Sequence, residues 1–114
     1  MTRSNRRRLC LLAPLVALLL GSLGLAAAAP KPVTHTVTID GTQFQPNSLA
    51  VHPGDTVVWV NKDPFPHTVT SKAGRFDSQQ IQPGASWKYR AVRKGTFDYV
   101  CSLHPTMTGR IRIQ

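Results

Sequence analysis

Gly95-Thr96-Phe97-Asp98-Tyr99-Val100-Cys101 runs directly into Ser102-Leu103-His104-Pro105-Thr106-Met107. In the first half, Phe97, Tyr99 and Cys101 alternate with polar or smaller residues, the period of a β-strand with one buried face. The sulfur of Cys101 therefore leaves its strand from the core side. From Cys101 to Met107, a thiol, an imidazole and a thioether fall within seven residues. A straight strand would carry Cys101 and His104 about 10 Å apart at ~3.3 Å per residue, so a tight turn must fold them together if they are to act jointly.

The same alternation extends outward. His35, Val37 and Ile39 alternate with Thr34, Thr36, Thr38 and Asp40. Trp87, Tyr89 and Ala91 alternate with Lys88 and Arg90, and Ile111 and Ile113 with Arg110 and Arg112. Thr56-Val57-Val58-Trp59-Val60 is apolar on both faces and reads as a central strand. Pro53-Gly54, Ala73-Gly74, Pro83-Gly84 and Lys94-Gly95 punctuate these runs. Pro followed by Gly suits the central positions of a type II turn, because Pro sets φ and Gly accepts a positive φ. No amphipathic helix is visible. Seven or eight short strands joined by such turns predict an all-β sandwich.

The chain has 114 residues and a formal charge of +9. Arg3, Arg6, Arg7 and Arg8 precede an almost wholly apolar stretch over 9–29 that ends in Ala26 to Ala29. This reads as a cleavable signal peptide over residues 1–29, followed by one domain over 30–114. The apolar stretch is also near the length of a membrane anchor. Asn5-Arg6-Arg7-Arg8-Leu9 is compatible with twin-arginine export as well as with an ordinary secretory signal. Either route makes the protein periplasmic or otherwise exported, with no stable membrane insertion after cleavage. Losing the four signal arginines takes the charge from +9 to +5. That surplus serves solubility or attraction to an acidic partner. Its basic residues are dispersed, with no stacking aromatic platform, which argues against nucleic acid.

Of two cysteines, Cys10 lies in the signal and Cys101 in the domain, so the processed chain has no intramolecular disulfide. A lone thiol in an oxidising compartment calls for burial or a metal. His67, on the loop Pro64-Phe65-Pro66-His67, supplies a second imidazole. His67, Cys101, His104 and Met107 together form a two-nitrogen, one-thiolate, one-thioether set. That set suits a single copper ion moving between Cu(II) and Cu(I). Met107 reads as a weak axial ligand or as a packing residue. His35, near the start of a strand, reads as a rim or internally satisfied histidine, and His52 as a solvated one.

At these residues the chain resembles the cupredoxins, small type 1 (blue) copper proteins, and most of all their amicyanin and plastocyanin-like branch. Phe44-Gln45-Pro46 with Leu49 and Val51, Gly54-Asp55-Thr56-Val57-Val58-Trp59-Val60-Asn61, Pro66-His67-Thr68-Val69 and the stretch from Gly95 to Met107 carry the resemblance. Two residues between Cys101 and His104, and two more before Met107, match the short amicyanin kind of ligand loop. Leu103 departs from the proline usual there and leaves that loop less rigid. The resemblance implies a Greek-key cupredoxin sandwich, a single-electron carrier, and a hydrogen bond from the Thr68 N–H to the Cys101 sulfur. It also implies that Asn61 ties the two ligand loops together; read alone, Asn61 equally well caps the end of its strand. Donor and acceptor do not carry over.

Catalysis is not expected. Cys-x-x-His on one short loop is a poor nucleophilic dyad, and an oxidase would need more copper sites than His35 and His52 can build. A copper-carrier module using the same ligands is the alternative function. A structural zinc site is disfavoured, because zinc prefers four strong ligands. We expect a monomer whose His104 edge emerges in an apolar patch with Pro64, Phe65, Pro66 and Pro105. Lys62, Lys72 and Arg75 are expected to rim that patch and steer redox partner proteins with an acidic docking surface.

Overall fold

The computed structural model describes residues 13–14, 17, 21–25 and 30–114. Most of the proposed signal segment, with Cys10, lies outside the described residues. No helix among the described residues is long and apolar enough to cross a membrane.

Eight strands form in chain order: β1 Thr34–Asp40, β2 Gln43–Gln45, β3 Ser48–Val51, β4 Thr56–Asn61, β5 Thr70–Ser71, β6 Ser86–Arg90, β7 Gly95–Cys101 and β8 His104–Ile113. They build two four-stranded sheets, ordered β2-β1-β4-β6 and β3-β8-β7-β5. Both sheets are mixed, since β1 runs parallel to β4 and β3 parallel to β8, while the remaining pairs are antiparallel. The all-β sandwich expected from the alternation is present. β4 is interior to its sheet, with Val57, Trp59 and Asn61 buried and the opposite face half-buried. Val37 and Ile39 of β1, Tyr99 and Cys101 of β7, and Ile111 and Ile113 of β8 meet between the sheets.

Trp59 and Tyr99 centre this core. Their rings meet edge to face at 5.5 Å, and the indole N–H donates to the Tyr99 oxygen at 3.3 Å. Burial pushes the phenol up to about 12, partly opposed by that hydrogen bond. β8 can pass Tyr99 only because residue 109 is glycine: a Cβ there would overlap the Tyr99 ring.

The two Pro-Gly turns form as read. Gly54 and Gly84 have φ of 95° and 76°. Asp55 N–H bonds the His52 carbonyl at 3.0 Å, and Ala85 N–H the Gln82 carbonyl at 2.9 Å. β1 and β2 are joined by a two-residue turn, Gly41-Thr42, with φ of 60° and 58°. Positive φ at both central positions matches the right-handed twist of a hairpin, but it is uncommon for a β-branched residue such as Thr42.

Candidate metal centre

One end of the sandwich gathers the C-terminal end of β4, the loop after it, the end of β7 and the start of β8. Cys101 closes the β7–β8 hairpin opposite His104, with only Ser102 and Leu103 between them. That tight turn is the fold-back that the Cys101–His104 spacing requires. The ladder then slips. Val100 pairs with Thr108, so Pro105, Thr106 and Met107 bulge from β8 without partners on β7. Expected as part of a loop, His104 and Met107 instead belong to β8 itself. Met107 is buried, in a recess shared with Thr42, Gln43 and Phe44.

His67 arrives from the loop after β4. Its backbone forms an isolated bridge with Ile81, with hydrogen bonds of 3.2 and 2.7 Å. Asn61 organises this loop. Its side-chain amide donates to the Phe65 and Ile81 carbonyls, both at 2.9 Å, and its oxygen accepts the Asp63 N–H at 3.0 Å. Asn61 therefore stabilises the loop that carries His67; the link to the second ligand loop is made elsewhere.

That link runs through Thr68, for which the resemblance implies only a backbone donor. Thr68 N–H points at the Cys101 sulfur at 3.3 Å, as the resemblance implies. In addition, the Thr68 hydroxyl oxygen accepts the Ser102 N–H at 2.8 Å and lies 3.0 Å from the Ser102 hydroxyl. It also sits 2.9 Å from the Thr70 hydroxyl, which donates to Asp77 at 3.2 Å.

The three strong donors converge. The ligand atoms of His67, Cys101 and His104 lie within 4.8 Å of one another. Cys101 Sγ is 3.6 Å from His67 Nδ1 and 3.7 Å from His104 Nδ1. His67 and Cys101 are fully buried, whereas His104 is half-buried. Phe65 covers both imidazoles, with centroids 5.1 Å from His67 and 5.9 Å from His104, and it is exposed on its outer side, as is Leu103. A shielded cysteine sulfur and two imidazole nitrogens, with two hydrogen-bonded loops beneath them, suit copper: soft sulfur favours Cu(I) and imidazole tolerates both states.

Asp63 was not anticipated as part of this end. Its carboxylate is buried and accepts the Gly41 and Thr42 N–H groups at 2.8 and 2.9 Å, with His67 Nε2 at 2.7 Å. Burial alone would raise its pKa, but the Thr42, His67 and Gly41 hydrogen bonds outweigh this and hold it below the usual carboxylate range. The faint signal in the sequence was an aspartate four residues before a histidine, in a chain with only five acids.

The remaining candidates sit elsewhere. His35 is half-buried and bonds Asp55 through Nε2 at 2.9 Å, and His52 is exposed. Lys62 belongs to the loop that carries His67. Arg75 does not rim the metal end: it lines a recess with Tyr89, Val92, Arg93 and Phe97 near the start of β7. Phe97 precedes Cys101 by four residues, about 13 Å of strand. Lys72 lies between the two, its N–H on the Asp98 carbonyl.

A family model described as a cupredoxin-like domain matches residues 11–113. Amicyanin-alpha of Methylorubrum extorquens is 28% identical over 86% of this chain and 86% of its own. Amicyanin of Paracoccus denitrificans is 31% identical over 78% of this chain and 72% of its own. A solved Cu(I) structure of an amicyanin variant superposes with a TM-score of 0.68 at 27% identity, covering 71% of this chain and 82% of that one. With two mixed sheets, a paired Cys101 and His104, and a family match running nearly from end to end, the chain belongs to the cupredoxin-like domain family.

Proposed function

We propose that this protein is a single-electron carrier for one type 1 copper ion, which His67, Cys101 and His104 would hold as strong donors and Met107 as a weak one. The observation that carries this reading is the convergence of two imidazole Nδ1 atoms on one buried sulfur. Copper bound there supplies a Cu(II)/Cu(I) couple.

The chain's own residues make that couple usable. The Thr68 N–H stabilises the thiolate charge and fixes the direction of the sulfur. The Thr68–Ser102 hydrogen bonds hold the two ligand loops at one separation, so a change of charge moves them little. Phe65 and the buried side of the sandwich keep water off the sulfur, which strengthens electrostatic interactions there. The half-buried edge of His104, beside the exposed Phe65 and Leu103, is the shortest way out for an electron, and a small apolar surface there permits brief docking.

The domain over residues 30–114 would act after export to the periplasm and removal of residues 1–29. Its charge of +5 favours redox partner proteins with an acidic surface, and Lys62 is the basic residue placed on the loop of His67. We read the domain as a monomeric carrier without catalytic activity of its own.

The rival reading, a copper-delivery module, uses the same donors. Mixing the Cu(II) protein with a one-electron reductant, then offering an apo-acceptor of copper, separates the two. The electron carrier is reduced and reoxidised with its copper retained. Transfer of the metal to the acceptor on the same timescale, without repeated redox turnover, would favour delivery.

A further inference from the structure

We infer that Asp63 is a positioning residue that fixes the His67 tautomer and lowers the reduction potential of the site. This deepens the electron-carrier reading and rests on it. An ionised carboxylate can only accept hydrogen bonds. Both Asp63 oxygens are occupied: one accepts the Gly41 N–H at 2.8 Å, and the other accepts the Thr42 N–H at 2.9 Å and faces His67 Nε2 at 2.7 Å. Nε2 must therefore carry the proton, which leaves the Nδ1 lone pair directed at the space beside Cys101 Sγ, 3.6 Å away.

The carboxylate is itself held in place. The turn that clamps it has two consecutive residues at positive φ, Gly41 at 60° and Thr42 at 58°. That turn presents both N–H groups to one side, toward Asp63. The Asn61 oxygen further holds the Asp63 backbone, at 3.0 Å from its N–H. A ligand imidazole bonded to an anion is a stronger donor than one bonded to a carbonyl or to water. Stronger donation, together with a nearby negative charge, favours Cu(II) over Cu(I). His104 has no such support. Among the described residues nothing bonds its Nε2, and it is half-buried rather than sealed. The two imidazoles are thus unequal: His67 is locked, and His104 is free to respond to solvent or to a partner.

A matched control exists in the same molecule. Asp55 also accepts two backbone N–H groups, from Val33 and His52, and one histidine Nε2, from His35, but at the other end of β4. Asp63→Asn and Asp55→Asn should both destabilise the sandwich, since each places an amide where backbone donors expect an acceptor. Only Asp63→Asn should change the copper couple. Its Cu(II) affinity should fall about tenfold relative to Cu(I), an upward shift of about 59 mV for one electron.

The experiment is protein-film voltammetry on the copper-loaded wild type and both variants, with ¹⁵N spectra of the copper-free wild type. The expected result is a raised potential in Asp63→Asn alone and a His67 Nε2–H tautomer in the copper-free protein. Equal potentials in all three proteins would reduce Asp63 to a structural clamp and overturn the inference. If Asp63→Asn does not fold, the tautomer decides: Nδ1–H on His67 overturns it, and Nε2–H upholds it. Failure of the wild type to bind copper would sink the electron-carrier reading, while the tautomer would still report on the Asp63–His67 pair.

Discussion

β4 is bracketed by two aspartates that make nearly the same set of bonds and serve different ends. Asp55, just before the strand, gathers Val33 N–H, His52 N–H and His35 Nε2. Asp63, two residues after it, gathers Gly41 N–H, Thr42 N–H and His67 Nε2. The first pairs a half-buried histidine whose other ring nitrogen makes no hydrogen bond among the described residues. The second pairs a histidine whose other nitrogen faces the buried Cys101 sulfur. A carboxylate–imidazole pair is thus a general device for closing one end of this sandwich. It takes part in metal chemistry only where the opposite ring nitrogen has a second donor to meet. At the metal end that donor is Cys101, at the end of β7, held beside the His67 loop by the Thr68 N–H.

The widest separation between the two ends should appear in metal affinity. His67→Ala removes one of three strong donors. It should weaken copper binding by more than the roughly 10–100-fold that follows loss of an outer partner. His35→Ala should leave affinity unchanged. Competition titration against a chelator of known affinity checks both. Similar losses in the two variants would mean that His67 is no more a ligand than His35.

A smaller effect should appear in acid, and here the Asp55 end is the informative one. The His52 N–H, then the His35 side chain and the Val33 N–H, hold the Asp55 carboxyl far below the usual carboxylate range. Its folded pKa lies below the unfolded value of about 3.9. The stability it contributes is therefore fully present above about pH 4 and is lost as pH falls toward the folded value. In the copper-free protein, Asp55→Asn should lower the melting temperature at neutral pH and flatten its decline below pH 4. Wild-type and variant curves that stay parallel down to pH 2 would show that the carboxylate charge is not what the His52 and Val33 donors stabilise.

Much of this was legible in the residues. Strand alternation in 34–40, 86–91 and 110–113 assigned the inward faces correctly, because a sheet buried on one side leaves a period of two. The Pro-Gly dipeptides located two turns, since their φ requirements are local. The meeting of Cys101 and His104 could be read from their spacing, because a hairpin end fixes which residues meet, whereas His67 could be read only from its residue type.

What could not be read depends on contacts between distant segments. The partners of Asp63 are backbone N–H groups about twenty residues upstream, which have no residue identity to betray them. The role of the Thr68 hydroxyl likewise depends on Ser102, 34 residues away. Read from the sequence alone Asn61 fits two roles, and its bonds to Phe65 and Ile81 instead tie the His67 loop to the segment before β6. The placement of Arg75 at the metal end failed because a basic residue shortly after the His67 loop need not stay beside it. The chain turns through β5 and carries Arg75 back along the flank to Phe97.

The central claim is that His67, Cys101 and His104 hold one copper ion through a copper–thiolate bond, and the visible absorption spectrum of the Cu(II)-loaded protein tests it most directly. An intense blue sulfur-to-copper charge-transfer band is expected at one copper per chain. It should bleach on one-electron reduction and return on reoxidation. Cys101→Ser should lack it while melting as a folded sandwich, since the core strands do not need the metal to pack. A Cu(II) complex of the intact protein with no such band, or a band that survives Cys101→Ser, would contradict the claim.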